Sequence, residues 1–391
     1  MKNINSNYSK LRLKKTLIIL LTNLLLLVFG LLIIENFFFN DDTNYELLKT
    51  TNTRKINLKE HTPSVNFSFK NDFQAYWYKD AILKTNTLMT NKDGFILGNI
   101  KDTIQKNTDI YFMGGSSVEC LYVDADKRFP YLVQEKISSQ IQKDIRTINA
   151  GGGGINSYHS LLSFLVKGIK DKPKALVIMH NINDISYLRI FGSFFEGNPE
   201  RRLIYEPDQK LQKYTGVIGF LRKIKDRHFF LTWKFIRNNI LGYNYLNTQK
   251  DQDEFFDYRK NDLYSNEHVL DIYRQNLLTI ISIAETNNIK PVLMTQFNRV
   301  ENKSDVFIKD FLVHNSEKDM DNFVKLYTAA NEVIREIAED QNVDLIDLSN
   351  LIPRKSEFIF DLVHLTDKGS VLVSDIITDY FLKNNKELFN E

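Results

Sequence analysis

The chain has a single cysteine, Cys120, in 391 residues. An intrachain disulfide and a cysteine-built metal site are therefore excluded. An excess of one charge is also missing: 51 basic and 49 acidic residues leave a formal net charge of +2. That balance argues against a polyelectrolyte partner, nucleic acid above all. The seven histidines fall at no metal-ligand spacing, so neither a metal nor another cofactor is expected. Internal repeats and low-complexity tracts are absent. What remains is ordinary for a globular protein, with 43% hydrophobic and 26% charged residues. The length suffices for one large domain or two smaller ones, each with its own core.

One hydrophobic run stands out. Residues 16–34, TLIILLTNLLLLVFGLLII, carry no charge. As a helix they would span roughly 28 Å, close to the hydrocarbon thickness of a bilayer. Lys2, Lys10, Arg12, Lys14 and Lys15 precede the run, and Glu35, Asp41, Asp42 and Glu46 follow it. Basic flanks stay cytoplasmic, which puts the long C-terminal part on the extracytoplasmic side. The competing reading is a cleaved signal peptide. The run is long for a signal core, and bulky IIENFFF follows it instead of a small-residue cleavage site. The organisation expected is a cytoplasmic tail (1–15), a transmembrane helix (16–34), a stalk and N-terminal extension (35–105) and a main domain (106–391).

In the main domain the pattern alternates. Strand-like runs occur at 109–113, 145–149, 175–179, 291–295 and 343–347. Helix-like stretches occupy 129–142, 157–169, 265–287, 320–341 and 367–384. In the fourth of these, Phe323, Leu326, Ala330, Val333, Ile334 and Ile337 form one apolar stripe. Short apolar strands alternating with amphipathic helices predict a parallel sheet covered on both faces. Ligands of such sheets bind at the carboxyl ends of the strands.

Polar, glycine-rich segments follow those ends. GGSS (114–117) comes after the first strand, NAGGGGINS (149–157) after the second and HNIND (180–184) after the third. DLVHLTDKG (361–369) comes after the fifth. Acyl transfer needs these parts: a serine, a base to activate it, an acid to orient the base, and donors for the oxyanion. Glycines before the serine let the chain turn sharply, and glycines at 151–154 leave a backbone N–H unobstructed. Asn183 offers a side-chain amide. Asp361 and His364 lie three residues apart, in reach of one another.

Taken in order, these segments resemble the four blocks of the SGNH hydrolases, also called GDSL esterases/lipases. GGSS stands where the family usually has Gly-Asp-Ser, a variant found in membrane-anchored members, with Ser116 at the nucleophile position. Gly154 matches the glycine of the second block and Asn183 the asparagine of the third. DLVH matches the last block through Asp361 and His364. The resemblance covers roughly 106–186 and 265–385. It implies a flavodoxin-like three-layer α/β/α sandwich with a five-stranded parallel sheet. It also implies an oxyanion hole of Ser116 N–H, Gly154 N–H and Asn183. Gly115 replaces the usual aspartate. Asn181 replaces the usual glycine two residues before Asn183, which puts the shape of the oxyanion loop in question.

The expected activity is a membrane-anchored, extracytoplasmic serine esterase acting on an acylated small molecule or glycan. The resemblance points to O-acyl, above all O-acetyl, groups of surface polysaccharides. Two alternatives stay open: an O-acyltransferase that resolves the same serine ester with a sugar hydroxyl, and a non-catalytic cell-envelope scaffold. Plainer roles are expected elsewhere. Ser117 caps the helix after Ser116, and Asp367 caps the last helix. Cys120 is a small buried hydrophobe, His180 a structural or pocket-wall residue and His159 a helix-flank residue. Residues 187–264 read as an inserted helical subdomain that caps the pocket or meets a membrane surface. Residues 298–315 read as a second pocket wall, with Arg299 exposed on it.

Overall fold

The computed structural model describes residues 14–24, 26, 55–56, 58–70, 85–99, 109–195, 204–205, 264–302, 305–306, 308 and 317–389. The chain divides into two units, Met1–Arg54 and Lys55–Glu391. In the first, residues 14–24 are helical, with Leu17, Ile18, Ile19 and Leu20 exposed. Of the predicted span 16–34, residues 25 and 27–34 lie outside the described residues, and among those described no helix is long and apolar enough to cross a membrane.

The second unit is built on a parallel sheet. Its strands are β4 (Ile110–Gly114), β5 (Thr147–Asn149), β6 (Ala175–Met179), β8 (Lys290–Met294) and β9 (Asp344–Ile346). They run in the order β5-β4-β6-β8-β9, all parallel. This is the flavodoxin-like order, with its topological switch between β4 and β6. Three small strands complete a pair of antiparallel ribbons with a fourth: β1 (Lys55–Ile56) pairs with β7 (Ile204–Tyr205), and β2 (Asn66–Lys70) with β3 (Thr85–Met89).

Side chains of successive strand residues point to opposite faces, and each face has its own core. Tyr111, Met113, Leu176, Ile178 and Leu293 pack on one face against α3 (Ser157–Ser163), α4 (Ile182–Phe191), α5 (Asn266–Thr286) and α6 (Glu317–Asp340). Ile110, Phe112, Val177, Met179, Val292 and Met294 pack on the other against α2 (Phe129–Ile141) and α8 (Asp367–Asn384). The predicted stripe of α6 is buried at every position. Two short helices, α1 (Ser116–Glu119) and α7 (Leu348–Leu351), follow β4 and β9.

The stretch predicted as one helix over 157–169 is α-helical only to Ser163. It continues as a π turn over Phe164–Gly168 and a 3-10 turn over Ile169–Asp171. Gly168 lies against β4 there: a Cβ would meet Phe164 Cδ2 at 2.5 Å and Tyr111 Cε2 at 2.7 Å. Residues 58–70 and 85–99 belong with this domain. Phe95 joins the core, and Ile96 bridges to Asn149 at the edge of β5. Arg128 staples this extension in place. Its buried guanidinium donates to the carbonyls of Cys120 (3.1 Å), Leu97 (3.2 Å) and Thr87 (2.6 Å). Of the predicted insertion 187–264, all but 187–195, 204–205 and 264 lies outside the described residues.

Candidate active site

The segment after β4 and the loop that precedes α8 meet at one cluster of side chains. After β4 the chain turns at Gly115 and enters α1 at Ser116. A Cβ on Gly114 would meet Val118 Cγ2 at 2.2 Å and the Met179 carbonyl at 2.7 Å, so the turn has no room for a side chain. Ser116 is half-buried, and its Oγ lies 2.7 Å from His364 Nε2. His364 Nδ1 is 2.5 Å from Asp361 Oδ2. The other carboxylate oxygen, Oδ1, accepts the backbone N–H groups of Val363 (2.9 Å) and His364 (2.7 Å). The loop thus folds its acid back onto its own base, and Asp361 is held by three donors.

Aromatic rings enclose the imidazole. Phe360 stacks on it with centroids 5.9 Å apart, and Tyr122 meets it edge-on at 5.9 Å. Burial alone would lower the His364 pKa. The Asp361 charge and hydrogen bond, with Glu119 further off, raise it above the ordinary value of 6.5. Glu119 is itself buried, with Oε1 3.0 Å from His61 Nε2. Desolvation pushes its carboxyl up, but His61 and Lys59, with His364 behind them, hold the pKa below the usual value.

The loops that carry Gly154 and Asn183 meet beside Gly115. Gly154 has φ +68° in a turn closed by Ile155 N–H to the Gly152 carbonyl at 3.1 Å. A left-handed residue at that turn position favours glycine. Asn183, buried in the first turn of α4, donates through Nδ2 to the Ile155 carbonyl at 2.9 Å. The Gly115 backbone fits against the same amide: a Cβ there would meet Asn183 Nδ2 at 2.4 Å. A second tie joins the two loops. Asp184 accepts the Ser157 backbone N–H at 3.1 and 3.2 Å and, through a short contact, the Ser157 hydroxyl.

Several plainer expectations need correction. Ser117 does not cap α1; the N-cap is Gly115, and the Ser117 hydroxyl donates to the Val363 carbonyl at 3.0 Å. The cap of α8 is Thr366, accepting from Gly369 N–H at 3.1 Å. Asp367 pairs instead with Lys127 at 3.3 Å. Arg299 is buried rather than exposed. It pairs with Asp305 at 2.8 Å and donates to the carbonyls of Ile359 (3.3 Å) and Phe360 (3.1 Å), bracing the segment that leads to Asp361. Asn181 turns into the core, where Nδ2 donates to the Tyr327 carbonyl (3.0 Å) and to Asn331 Oδ1 (2.9 Å). Two expectations agree with the structure: Cys120 is buried, with φ +52°, and His180 is a buried residue, 3.5 Å from Asp184.

Sequence reasoning missed Glu119, His61 and Gln296. Gln296 follows the end of β8 within the polar pair Thr295–Gln296. The strand-end rule that singled out the other segments applies equally there.

No family model matches the chain, and no curated protein is significantly similar to it. Among solved structures it is similar to a lipase/acylhydrolase from Enterococcus faecalis, at 15% identity and TM-score 0.39 over 70% of this chain and 95% of that one. It is also similar to an acetyl xylan esterase, AlAXEase, at 17% identity and TM-score 0.37 over 69% and 97%. A third is a GDSL-like lipase from Bacteroides thetaiotaomicron VPI-5482, at 14% identity and TM-score 0.36 over 72% and 90%.

Proposed function

We propose that the protein is a serine ester hydrolase of the SGNH type. The observation that carries this reading is the continuous hydrogen-bonded line from Ser116 Oγ through His364 to Asp361, at 2.7 and 2.5 Å. In the mechanism, Ser116 Oγ attacks the ester carbonyl while His364 Nε2 takes its proton. Asp361 holds the proton on Nδ1, so that Nε2 presents its lone pair, and it stabilises the imidazolium that forms. Ser116 N–H, Gly154 N–H and the second amide hydrogen of Asn183 receive the oxyanion. One such donor is typically worth about 3–4 kcal/mol of barrier. His364 then protonates the departing alcohol. Water, deprotonated by the same nitrogen, releases the acid and restores the serine.

The substrate reading is an acylated small molecule or glycan, and the acyl group small, O-acetyl first. The resemblance of the four blocks supports this. The membrane reading rests on the uncharged run 16–34 behind a basic N-terminus, which anchors the chain and leaves the catalytic domain extracytoplasmic.

The test is hydrolysis of p-nitrophenyl acetate by the purified chain and by Ser116→Ala and His364→Ala. The expected result is turnover by the parent and a loss of about 10³-fold or more in each variant. Undiminished hydrolysis by Ser116→Ala would remove the assignment.

A further inference from the structure

Three of the four predicted catalytic segments have, next to the working residue, a group tied to one side chain. Ser117 follows Ser116, Val363 precedes His364, and Ile182 precedes Asn183. Gln296, 3% exposed at the end of β8, reaches all three. Its Nε2 donates to Ser117 Oγ at 2.7 Å, and Ser117 Oγ donates onward to the Val363 carbonyl at 3.0 Å. Its Oε1 accepts the Ile182 N–H at 2.9 Å.

Only one proton arrangement satisfies this set. The Ile182 N–H can only donate, so the amide oxygen must face it and the amide nitrogen must face Ser117. The Val363 carbonyl can only accept, so the single Ser117 proton goes to it. Ser117 Oγ then takes its hydrogen from Gln296. The Ile182 N–H belongs to the first turn of α4, whose donors lack intrahelical partners, so Gln296 also caps that helix from a distant strand.

Gln296 is itself fixed. Its backbone N–H donates to Asn331 Oδ1 at 3.0 Å, and its carbonyl accepts from Asn331 Nδ2 at 3.0 Å and Tyr327 Oη at 3.2 Å. Both partners stand on the 24-residue helix α6.

We propose that Gln296 is the positioning residue of this active site, locking the nucleophile turn, the imidazole loop and the oxyanion helix into one register through Ser117. The proposal rests on the esterase reading above and extends it to a residue that touches no reacting atom. Side chains of this kind matter because catalytic groups must be held to a fraction of an ångström. Ser117 and Gln296 act as one unit in the link to Val363, since Gln296 Nε2 donates to the Ser117 hydroxyl and leaves its proton for the Val363 carbonyl.

The experiment is a double-mutant cycle with Gln296→Met and Ser117→Ala on p-nitrophenyl acetate. Rates are normalised to the folded fraction read by size-exclusion chromatography and circular dichroism, so that misfolded protein is not counted, and the parent is also treated with a fluorophosphonate. Each single variant is expected to lower kcat about 10- to 100-fold with KM within twofold of the parent. The double variant is expected to be no slower than the slower single. If Gln296→Met does not fold, Ser117→Ala, which removes only a hydroxyl, is judged on the same kcat-against-KM split. Single variants with parental kcat, or a double variant whose loss is the product of the two, would overturn the proposal while leaving the esterase reading intact. A parent that the fluorophosphonate does not label would overturn both.

Discussion

At the scale of single residues, the chemistry turns on one imidazole. Burial pulls the His364 pKa down, and Asp361, helped by Glu119, raises it past the ordinary 6.5. Proton abstraction needs the neutral ring, so kcat/KM for p-nitrophenyl acetate is expected to rise with pH through a midpoint above 6.5. Asp361→Asn should move that midpoint down while lowering the rate at every pH. The same shift has a stability counterpart of the opposite slope. A folded pKa raised above the unfolded one stabilises fully below the unfolded value, and that contribution fades as pH rises through the folded value. Thermal melts of the parent relative to Asp361→Asn should therefore show their largest advantage at the acid end of this window, near pH 6 and below. An unchanged difference across the window would contradict the coupling. The grouping of Ser116, His364 and Asp361 was legible in the sequence because Asp361 and His364 are local partners and Ser116 is framed by glycines. The role of Ser117 was not legible. Its partners, Val363 and Gln296, are 246 and 179 positions away.

At the scale of elements, the five strands and the long helices were readable from periodicity, because each helix shows one apolar stripe to the sheet. Helix α4 was not. From Ile182 to Ile190 every residue is buried, so the segment lacks the polar face that marks an amphipathic helix. Polar residues in it, such as Asn183, Asp184 and Arg189, are enclosed as well. The ribbon of β2 and β3 escaped for another reason. Its strands are joined by fourteen intervening positions (71–84) rather than by a two-residue turn, so no hairpin signal announces it. The glycine segments were correctly placed at strand ends, while the close approach of the Gly115 backbone to the Asn183 amide, 68 positions on, was not legible.

At the scale of the whole molecule, the domain is larger than the alternating region suggests. The extension at 58–70 and 85–99 reaches the site through His61, whose Nε2 lies 3.0 Å from Glu119. Arg128 is what fastens it. Removing the guanidinium leaves the buried Cys120 carbonyl and the part-buried carbonyls of Leu97 and Thr87 without this donor, and a buried acceptor left unsatisfied costs about 1–3 kcal/mol. Arg128→Leu is expected to destabilise the domain by about 1–3 kcal/mol, read as a lower urea midpoint. A midpoint equal to that of the parent would show that the extension is not held this way. All these levels converge on one claim: a hydroxyl from the start of the domain and an imidazole from its end form a single reactive pair. The most direct measurement is the mass of the intact protein, followed by peptide mapping, after treatment with a fluorophosphonate. The account predicts one stoichiometric adduct, on Ser116, that is lost in Ser116→Ala and in His364→Ala. An adduct on any other residue, or none on the folded parent, would contradict it.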